Sequence, residues 1–211
     1  MEIQYFKSLP STQKYLVERV RSGAVDSNLA IVAQQQSAGI GSRNNSWIAK
    51  KGDLLFSFCY KREQLPKDLP ISSASIYFAY LMKELFCEMG AECWLKWPND
   101  IYIKNKKAGG VVTQLVKGFY IVGIGINLAP REGDVANFDI KKEVSEIVKS
   151  YFLLLKKAPK WQEIFSKFRL EFERNKSYSA TINGVKTPLT KATLCTDGAL
   201  LIDNERIYSL R

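Results

Sequence analysis

The segment Lys96-Trp97-Pro98-Asn99-Asp100 is the feature that most restricts how this chain can fold. It lies between two runs, 92–95 and 101–103, that have the composition of β-strands. Pro98 fixes its own φ and disfavours helical backbone at Trp97, so the connection is a stiff corner between extended segments. A cation, an amide and a carboxylate are thereby held at the edge of a sheet. This arrangement predicts a site for a charged ligand.

Four further motifs accompany the corner, each polar or rich in glycine. In chain order they are Ser11-Thr12-Gln13, the loop 36–47, Lys107-Ala108-Gly109-Gly110-Val111-Val112 and Gly123-Ile124-Gly125-Ile126-Asn127. In the loop, Gly39 and Gly41 allow backbone N–H groups to approach an anion, and Arg43 adds positive charge. A G-x-G pair is a weak signal alone, because the same residues also make a flexible surface turn. The spacing matches neither the P-loop nor the dinucleotide-binding glycine pattern.

Hydrophobic periodicity predicts an α+β fold. Ser11 is suited to cap a helix over 12–22 that Gly23 ends. Strands are predicted at 3–6, 29–33 and 54–60, with a polar loop at 34–50 and a hairpin of 111–116 with 119–126. Further helices are predicted at 72–89, at 141–156 and from Pro159 onward. In the last of these an aromatic stripe has helical spacing and is expected in the core: Trp161, Ile164, Phe165, Phe168 and Phe172.

The residue pattern of the sequence changes after residue 176. Short alternating runs are broken there by Asn183-Gly184, Asp197-Gly198 and Asp203-Asn204, which are turn signals. They predict four or five short strands, too few to be stable alone. We therefore predict a main domain over 1–176 and a small C-terminal β domain over 177–211.

Composition excludes several kinds of chemistry. The 211 residues contain no histidine, which rules out a Ser-His-Asp triad, histidine-ligated zinc and imidazole base catalysis. No apolar run reaches about 18 residues and residues 1–7 do not have the form of a signal peptide, so we expect a cytoplasmic protein without a membrane segment. The cysteines form no C-x-x-C pair and are expected to be reduced packing residues: Cys59, Cys87, Cys93 and Cys195.

The formal net charge is +10. This charge either reflects an ordinary solvated surface or attracts nucleic acid or acidic ligands such as ATP and an acidic protein substrate. The basic residues are scattered along the chain, which favours a general positive field over a dedicated DNA groove.

The motifs and their order resemble the biotin protein ligases, from about Ser8 to Asn127 and again at 207–211. The resemblance implies a mixed β-sheet flanked by helices, with helices on one side, as in the class II synthetases, and an SH3-like C-terminal β domain. It implies that residues 1–176 bind biotin and ATP. The activity would be ATP- and Mg²⁺-dependent formation of biotinyl-5′-AMP, followed by transfer of biotin to a lysine of a biotin carboxyl carrier protein.

The resemblance also implies roles for single residues. Lys96 would lie over the biotin carboxylate and the α-phosphate, with Arg43 as a second catalytic cation. Trp47 would stack near the adenine, Asn99 and Asn127 would contact the nucleotide with Arg43, and Asp100 would be a Mg²⁺ ligand. The biotin site would be formed by Ser11, Thr12, Gln13, Gln36, Gly39, Ile40, Gly41, Ser42, Lys96 and Gly110.

Three features depart from the usual family pattern or narrow it. The family loop usually reads Gly-Arg-Gly-Arg, but Ile40 and Ser42 occupy the arginine positions, and Arg43 is displaced by one residue. Gln114 stands where the family more often has an acid. Because Ser11 comes so early, the resemblance is to the short ligases without an N-terminal DNA-binding domain, and no sequence-specific DNA binding is expected.

Two alternatives remain open from the sequence. A lipoate- or octanoate-attaching enzyme of the same architecture would have a long apolar tunnel in place of a polar pocket floor. A basic nucleic-acid-binding module would need clustered cations and interleaved aromatics in 177–211, where they are sparse. The oligomeric state is not determined, and a homodimer is compatible with the sequence.

Overall fold

A computed structural model describes residues 1–42 and 45–208, which form an α+β fold. The helices are α1 (Thr12–Ser22), α2 (Ala74–Glu88), α3 (Val144–Lys156) and α4 (Trp161–Glu171). The strands of the first part of the chain are β1 (Glu2–Phe6), β2 (Leu29–Ala33), β3 (Gly39–Ile40), β4 (Ser46–Trp47), β5 (Leu54–Lys61), β6 (Trp94–Lys96), β7 (Asp100–Ile103), β8 (Lys106–Val116) and β9 (Phe119–Ile126). Those of the C-terminal part are β10 (Ser179–Ile182), β11 (Val185–Pro188), β12 (Thr193–Leu194), β13 (Leu200–Ile202) and β14 (Glu205–Ile207). Short 3₁₀ turns lie at Arg62–Gln64, Ile71–Ser73 and Phe172–Ser177.

In the described part of the chain, seven strands form one mixed sheet in the order β1-β2-β5-β9-β8-β7-β6. β1 and β2 are parallel, and the other neighbours are antiparallel. The predicted hairpin of β8 and β9 across Lys117-Gly118 is confirmed. The corner at Lys96–Asp100 connects β6, at the sheet edge, to β7. The predicted mixed sheet is therefore confirmed, with the corner where the sequence places it.

Helices cover both faces of this sheet. Side chains alternate along β2, so that Leu29 and Ile31 pack with α1, while Ala30 and Val32 join the larger core formed with α2, α3 and α4. The expectation of helices on one side is therefore wrong. Because parallel neighbours such as β1 and β2 need a crossover connection, α1 must lie on one face, and the later helices fill the other.

The ends of α1 follow the predicted signals. The Ser11 hydroxyl accepts a hydrogen bond from the Lys14 N–H at 3.3 Å, and Gly23 ends the helix in the left-handed region at φ 80°. The other helices are shorter than predicted. α2 begins after the 3₁₀ turn at Ile71–Ser73, and α3 begins at Val144 because Glu143 is extended. The predicted aromatic stripe of α4 is confirmed as core.

The C-terminal strands pack against the main core through the buried corner residue Trp97. Its backbone N–H donates to the Asn175 Oδ1 at 2.7 Å, and its indole Nε1 donates to the Gly198 carbonyl at 2.9 Å. Asn175 is fully buried, and its amide also donates to the Leu95 carbonyl at 3.3 Å. The predicted small C-terminal sheets are present, with β10 paired to β11 and β13 between β12 and β14. The boundary near residue 176 stays a prediction.

The resemblance at 207–211 implies a last strand there, but the last strand observed, β14, ends at Ile207, and residues 209–211 lie outside the described residues. Apolar residues of the C-terminal part, among them Leu189 and Leu200, belong to the same hydrophobic cluster as α2. No helix within residues 1–42 and 45–208 is long and apolar enough to cross a membrane.

Asn175→Ala tests the anchoring of the corner. The substitution leaves the buried Trp97 N–H without its acceptor, so we expect the free energy of unfolding to fall by about 1–3 kcal/mol. Urea denaturation monitored by tryptophan fluorescence measures the change. As a control, Asn105→Ala at an exposed turn should stay within about 0.5 kcal/mol of the unsubstituted chain. Equal losses for the two variants would contradict the anchoring role.

Candidate active site

A cavity lies between the N-terminus of α1, the β3–β4 hairpin and the sheet. Strands β5, β8 and β9 form its floor. Most of the predicted site residues line it: Ser11, Thr12, Gln13, Gln36, Ile40, Gly41, Ser42, Trp47, Asn99 and Gly110. Gly39 lies behind this lining, where a Cβ would come within 2.5 Å of the Trp47 carbonyl oxygen. The structure thus brings together motifs that are far apart in sequence.

Three side chains form a hydrogen-bonded chain across one wall of the cavity. The Gln36 Oε1 accepts from the Thr12 N–H at 2.7 Å and from the Thr12 hydroxyl at 3.1 Å. The Thr12 and Ser57 hydroxyls are 2.8 Å apart. Because the Thr12 proton is directed to Gln36, Ser57 is the donor of that bond. The hydrogen bonds of this wall therefore run in one direction, from Ser57 through Thr12 to Gln36, and a polar ligand that donates to Ser57 can continue the series.

Gln13 presents an acceptor to the cavity. Its side-chain amide Nε2 donates to the Ile121 carbonyl at 3.2 Å, which fixes the orientation of the group. Its Oε1 is buried and has no hydrogen-bond partner among the described residues. Gly123 makes room for this oxygen, since a Cβ at that position would lie only 2.7 Å from it. A buried acceptor without a partner is costly, so this oxygen favours a ligand that donates an N–H or O–H.

Trp47 covers the cavity from the β3–β4 hairpin. Its indole lies on Gly125 of β9, where a Cβ would come within 2.6 Å of the ring. The Lys107 ammonium is 6.0 Å from the ring centroid. The indole Nε1 is buried without a hydrogen-bond partner in the part of the chain that the structure describes. A flat aromatic surface with an available donor is thus held over the floor.

Lys107 lines the cavity and pairs with Asp100 across β7 and β8. Its ammonium is 2.6 Å from the Asp100 Oδ1, and both side chains are partly exposed. Gly110 lies beside this pair, with the carboxylate oxygen 3.3 Å from where its Cβ would be. The cavity therefore has a cation at one end, partly neutralised by its neighbour.

Lys96 lies next to the cavity and does not line it. Its ammonium is 3.4 Å from the Tyr102 hydroxyl, and it is 5.2 and 5.7 Å from the ring centroids of Tyr102 and Tyr178. Burial raises the pKa of Tyr102 to about 12, so its hydroxyl stays neutral and can accept from the lysine. Tyr178 comes from the segment just before β10, so the C-terminal part of the chain helps to hold this cation.

Two of the predicted nucleotide contacts make structural hydrogen bonds. The Asn99 amide donates to the Val111 carbonyl at 2.7 Å, and the Val111 N–H returns a bond to the Asn99 carbonyl at 2.9 Å. The Asn127 amide donates to the Ala136 carbonyl, and its oxygen accepts from Arg131. Arg131 is in turn ion-paired with the buried Asp53 carboxylate. Asn99 still lines the cavity, whereas Asn127 lies outside its lining.

Magnesium was predicted at Asp100. Across residues 1–42 and 45–208, no three acidic, cysteine or histidine side chains gather into a metal-binding group. Asp100 is paired with Lys107, so the side chains alone do not fit a dedicated metal site. Mg²⁺ is usually held by one or two carboxylates together with nucleotide phosphates. The role of Asp100 stays a prediction.

Some residues of the site have no counterpart in the predicted set, and one predicted residue cannot be placed. Ser57 is a polar residue within the apolar strand β5, which was the signal that could have found it. Lys107 opens the motif 107–112, but no role of its own was predicted for it, because its pairing with Asp100 depends on the pairing of β8 with β7. Arg43 lies outside the described residues, and so does Asn44.

Comparison with known proteins identifies the relatives of this chain. The family model of the biotin/lipoate A/B protein ligases matches residues 5–129. The chain is 33% identical over 138 residues to the bifunctional ligase/repressor BirA of Salmonella typhimurium, covering 61% of this chain and 42% of that protein. It is 28% identical over 134 residues to the biotin–acetyl-CoA-carboxylase ligase of Mycobacterium tuberculosis, covering 59% of this chain and 49% of the relative. The chain thus spans about half or less of the length of these curated relatives.

A solved structure extends the comparison over the whole fold. The biotin acetyl coenzyme A carboxylase synthetase of Helicobacter pylori, with bound biotinylated ATP, superposes with a TM-score of 0.93 and 38% identity. The match covers 98% of this chain and 99% of that one, so it includes the C-terminal strands. With the matched family model and the polar cavity at the N-terminus of α1, these findings lead to one assignment: the chain belongs to the biotin/lipoate A/B protein ligase family.

Proposed function

We propose that this chain is a biotin protein ligase, which activates biotin with ATP to biotinyl-5′-AMP and transfers the biotinyl group to a lysine of a biotin carboxyl carrier protein. The observation that carries the proposal is the buried Gln13 Oε1, aimed into a cavity whose wall is the chain Ser57–Thr12–Gln36. A ureido ring offers two N–H donors, and the Gln13 Oε1 and the Ser57 hydroxyl oxygen are acceptors to which such donors can bind.

The polarity of this cavity supports biotin over lipoate or octanoate. An acyl chain or a dithiolane ring has no N–H to offer to the Gln13 Oε1, so it would leave that oxygen buried and unsatisfied. Sites that hydrogen-bond a polar substrate discriminate strongly against analogues that lack the group, because the site's own polar atoms are then left unpaired. The alternative from the same family therefore has less support from the described residues.

The first half-reaction joins two anions. The biotin carboxylate attacks the α-phosphorus of ATP, the bond to the β-phosphate oxygen breaks, and pyrophosphate leaves. Repulsion and misalignment are the obstacles, so an enzyme contributes by positioning the reactants and placing cations beside the developing charge. We assign the main cationic role to Lys96, next to the cavity, and a binding role to Lys107, whose charge is shared with Asp100. Mg²⁺ bound to the ATP phosphates would neutralise further charge.

The second half-reaction transfers the biotinyl group. The amine of the acceptor lysine attacks the carbonyl carbon of the mixed anhydride, and AMP leaves with the bonding electron pair. This step needs a cover that keeps water from the anhydride until the acceptor arrives. Trp47, which lies over the floor at Gly125, is placed to provide that cover and to contact the adenine. The carrier protein is inferred from the names of the relatives.

Incubation of the chain with ATP, Mg²⁺ and biotin, followed by mass detection of biotinyl-AMP, tests the proposed activity. Lipoate and octanoate are supplied in parallel reactions. We expect an adenylate with biotin and none above background with the other acids. An adenylate formed with octanoate or lipoate in preference to biotin would overturn the assignment in favour of the alternative.

Lys96→Ala tests the catalytic cation. A preorganised charge aimed at a reacting centre contributes about 2.7–4 kcal/mol, so we expect pyrophosphate release at saturating biotin and ATP to fall by about a hundred- to a thousandfold. Lys186→Ala, at an exposed position in β11, serves as the surface-charge control. Lys107→Ala should show a smaller loss, because Asp100 already neutralises part of its charge. If Lys107→Ala abolishes turnover while Lys96→Ala retains it, the catalytic role belongs to Lys107.

Gln13→Ala tests the recognition of the ureido ring. We expect the dissociation constant for biotin to rise about fivefold, since one hydrogen bond to the ligand is worth about 1 kcal/mol. Isothermal titration calorimetry measures the affinity, and a urea midpoint shows whether the fold is retained. Gln35→Ala, at an exposed neighbour of Gln36, is the matched control. An unchanged biotin affinity in a folded Gln13→Ala variant would mean that this oxygen does not contact the ligand.

A further inference from the structure

Two cysteines that are six positions apart in sequence meet in the fold. Cys87 lies in the last turn of α2, and Cys93 immediately precedes β6. The intervening turn reverses at Gly90, which adopts φ +87°. The two Sγ atoms are 3.7 Å apart, which is van der Waals contact between thiols. All four cysteines of the chain are reduced, and Cys59 donates instead to the Ser27 carbonyl at 3.3 Å.

The surroundings make the two thiols unequal. Contact with the Cys93 thiol, with the nearby Lys83 ammonium, lowers the pKa of Cys87. The pKa of Cys93 is raised, because it lies against the more acidic Cys87 sulfur and is buried. Glu84 and Glu171 pair with the same ammonium at 3.1 and 3.5 Å and weaken its effect. Cys87 is therefore the more acidic thiol of the pair, and Cys93 is the one that holds its proton more firmly.

Both cysteines border a wide surface depression, which Lys104 and Arg174 also line. Cys87 is partly exposed there, so a small molecule in solution can reach its sulfur. A low-pKa, accessible thiol beside a second thiol is the arrangement found in redox-sensitive cysteines. The predicted role of these residues as packing cysteines does not account for this contact.

We propose that Cys87 and Cys93 are a redox modification site, at which a hydroperoxide converts the two thiols into a reversible disulfide. The Cys87 thiolate attacks one peroxide oxygen, the O–O bond breaks, and hydroxide leaves, so that Cys87 becomes a sulfenic acid. The Cys93 thiol then attacks the Cys87 sulfur, and the sulfenic oxygen leaves as water. In total the two thiols lose two electrons and two protons, and hydrogen peroxide is reduced to two molecules of water.

The fold accommodates the product with a small movement. An S–S bond is about 2.05 Å long, so the sulfurs must approach by about 1.7 Å from their present separation. The connecting segment is a surface turn at a helix end, and such ends adjust at low cost. The disulfide closes this short segment and breaks no strand of the sheet.

Peroxide titration of the reduced full-length chain tests the proposal. Trypsin releases residues 84–96 as one peptide that contains both cysteines. We expect this peptide to lose two hydrogen atoms in mass and to regain them with dithiothreitol. Cys87 should react at least about tenfold faster than Cys195, which is partly exposed and has no thiol neighbour among the described residues. A peptide that stays a dithiol while Cys195 is oxidised would overturn the proposal.

Two variants test the order of attack. In Cys93→Ala, oxidation should stop at a Cys87 sulfenic acid that dimedone traps, whereas Cys195→Ala should form the disulfide as the unsubstituted chain does. Trapping at Cys93 in a Cys87→Ala variant, at the rate seen for Cys87, would contradict the assigned roles. These measurements do not involve biotin or ATP, so they stand apart from the proposed ligase activity.

Discussion

The burial of Trp97 is the constraint on which the rest of this structure depends. Its indole is almost completely enclosed, its backbone N–H donates to Asn175 in the turn after α4, and its indole N–H donates to Gly198 in the C-terminal part. Loss of a buried tryptophan typically costs about 3–5 kcal/mol, which is a large share of a domain's stability. The same residue precedes a cis peptide to Pro98 and follows Lys96. The corner that carries the site's polar groups is therefore also the anchor of the C-terminal strands.

Glycines provide the second constraint, because the backbone of β9, which forms part of the cavity floor, lies very close to side chains of the site. Gly123 leaves space for the Gln13 carbonyl, and Gly125 leaves space for the Trp47 indole. They alternate along β9, so both lie on the face toward α1, and the residues between them fill the opposite core. The motif Gly123-Ile124-Gly125 thus encodes two contacts on one face and a packing residue on the other.

Local patterns were sufficient to predict most of the helices and strands, and the family resemblance supplied the residues expected at the site. The helix cap at Ser11, the hairpin at Lys117-Gly118 and the aromatic stripe of α4 depend on neighbours in sequence, and each is observed. The placement of helices on both faces of the sheet was not predictable in this way, because it follows from the order of the strands. For the same reason the pairing of Lys107 with Asp100 and the contact of Cys87 with Cys93 arise only from tertiary structure. The position of Lys96, between Tyr102 and a residue beyond the predicted boundary, is a further example.

The contact between Lys96 and Tyr178 has a consequence for dissecting the molecule. A shortened chain ending at residue 176 would keep every cavity-lining residue, yet it would expose the Trp97 indole and remove one of the two rings that hold the lysine. Such a fragment would not serve as a minimal enzyme. A loss of turnover in it could come from the exposed Trp97 indole as well as from the loss of substrate contacts. The modular appearance of the sequence therefore does not correspond to a separable function.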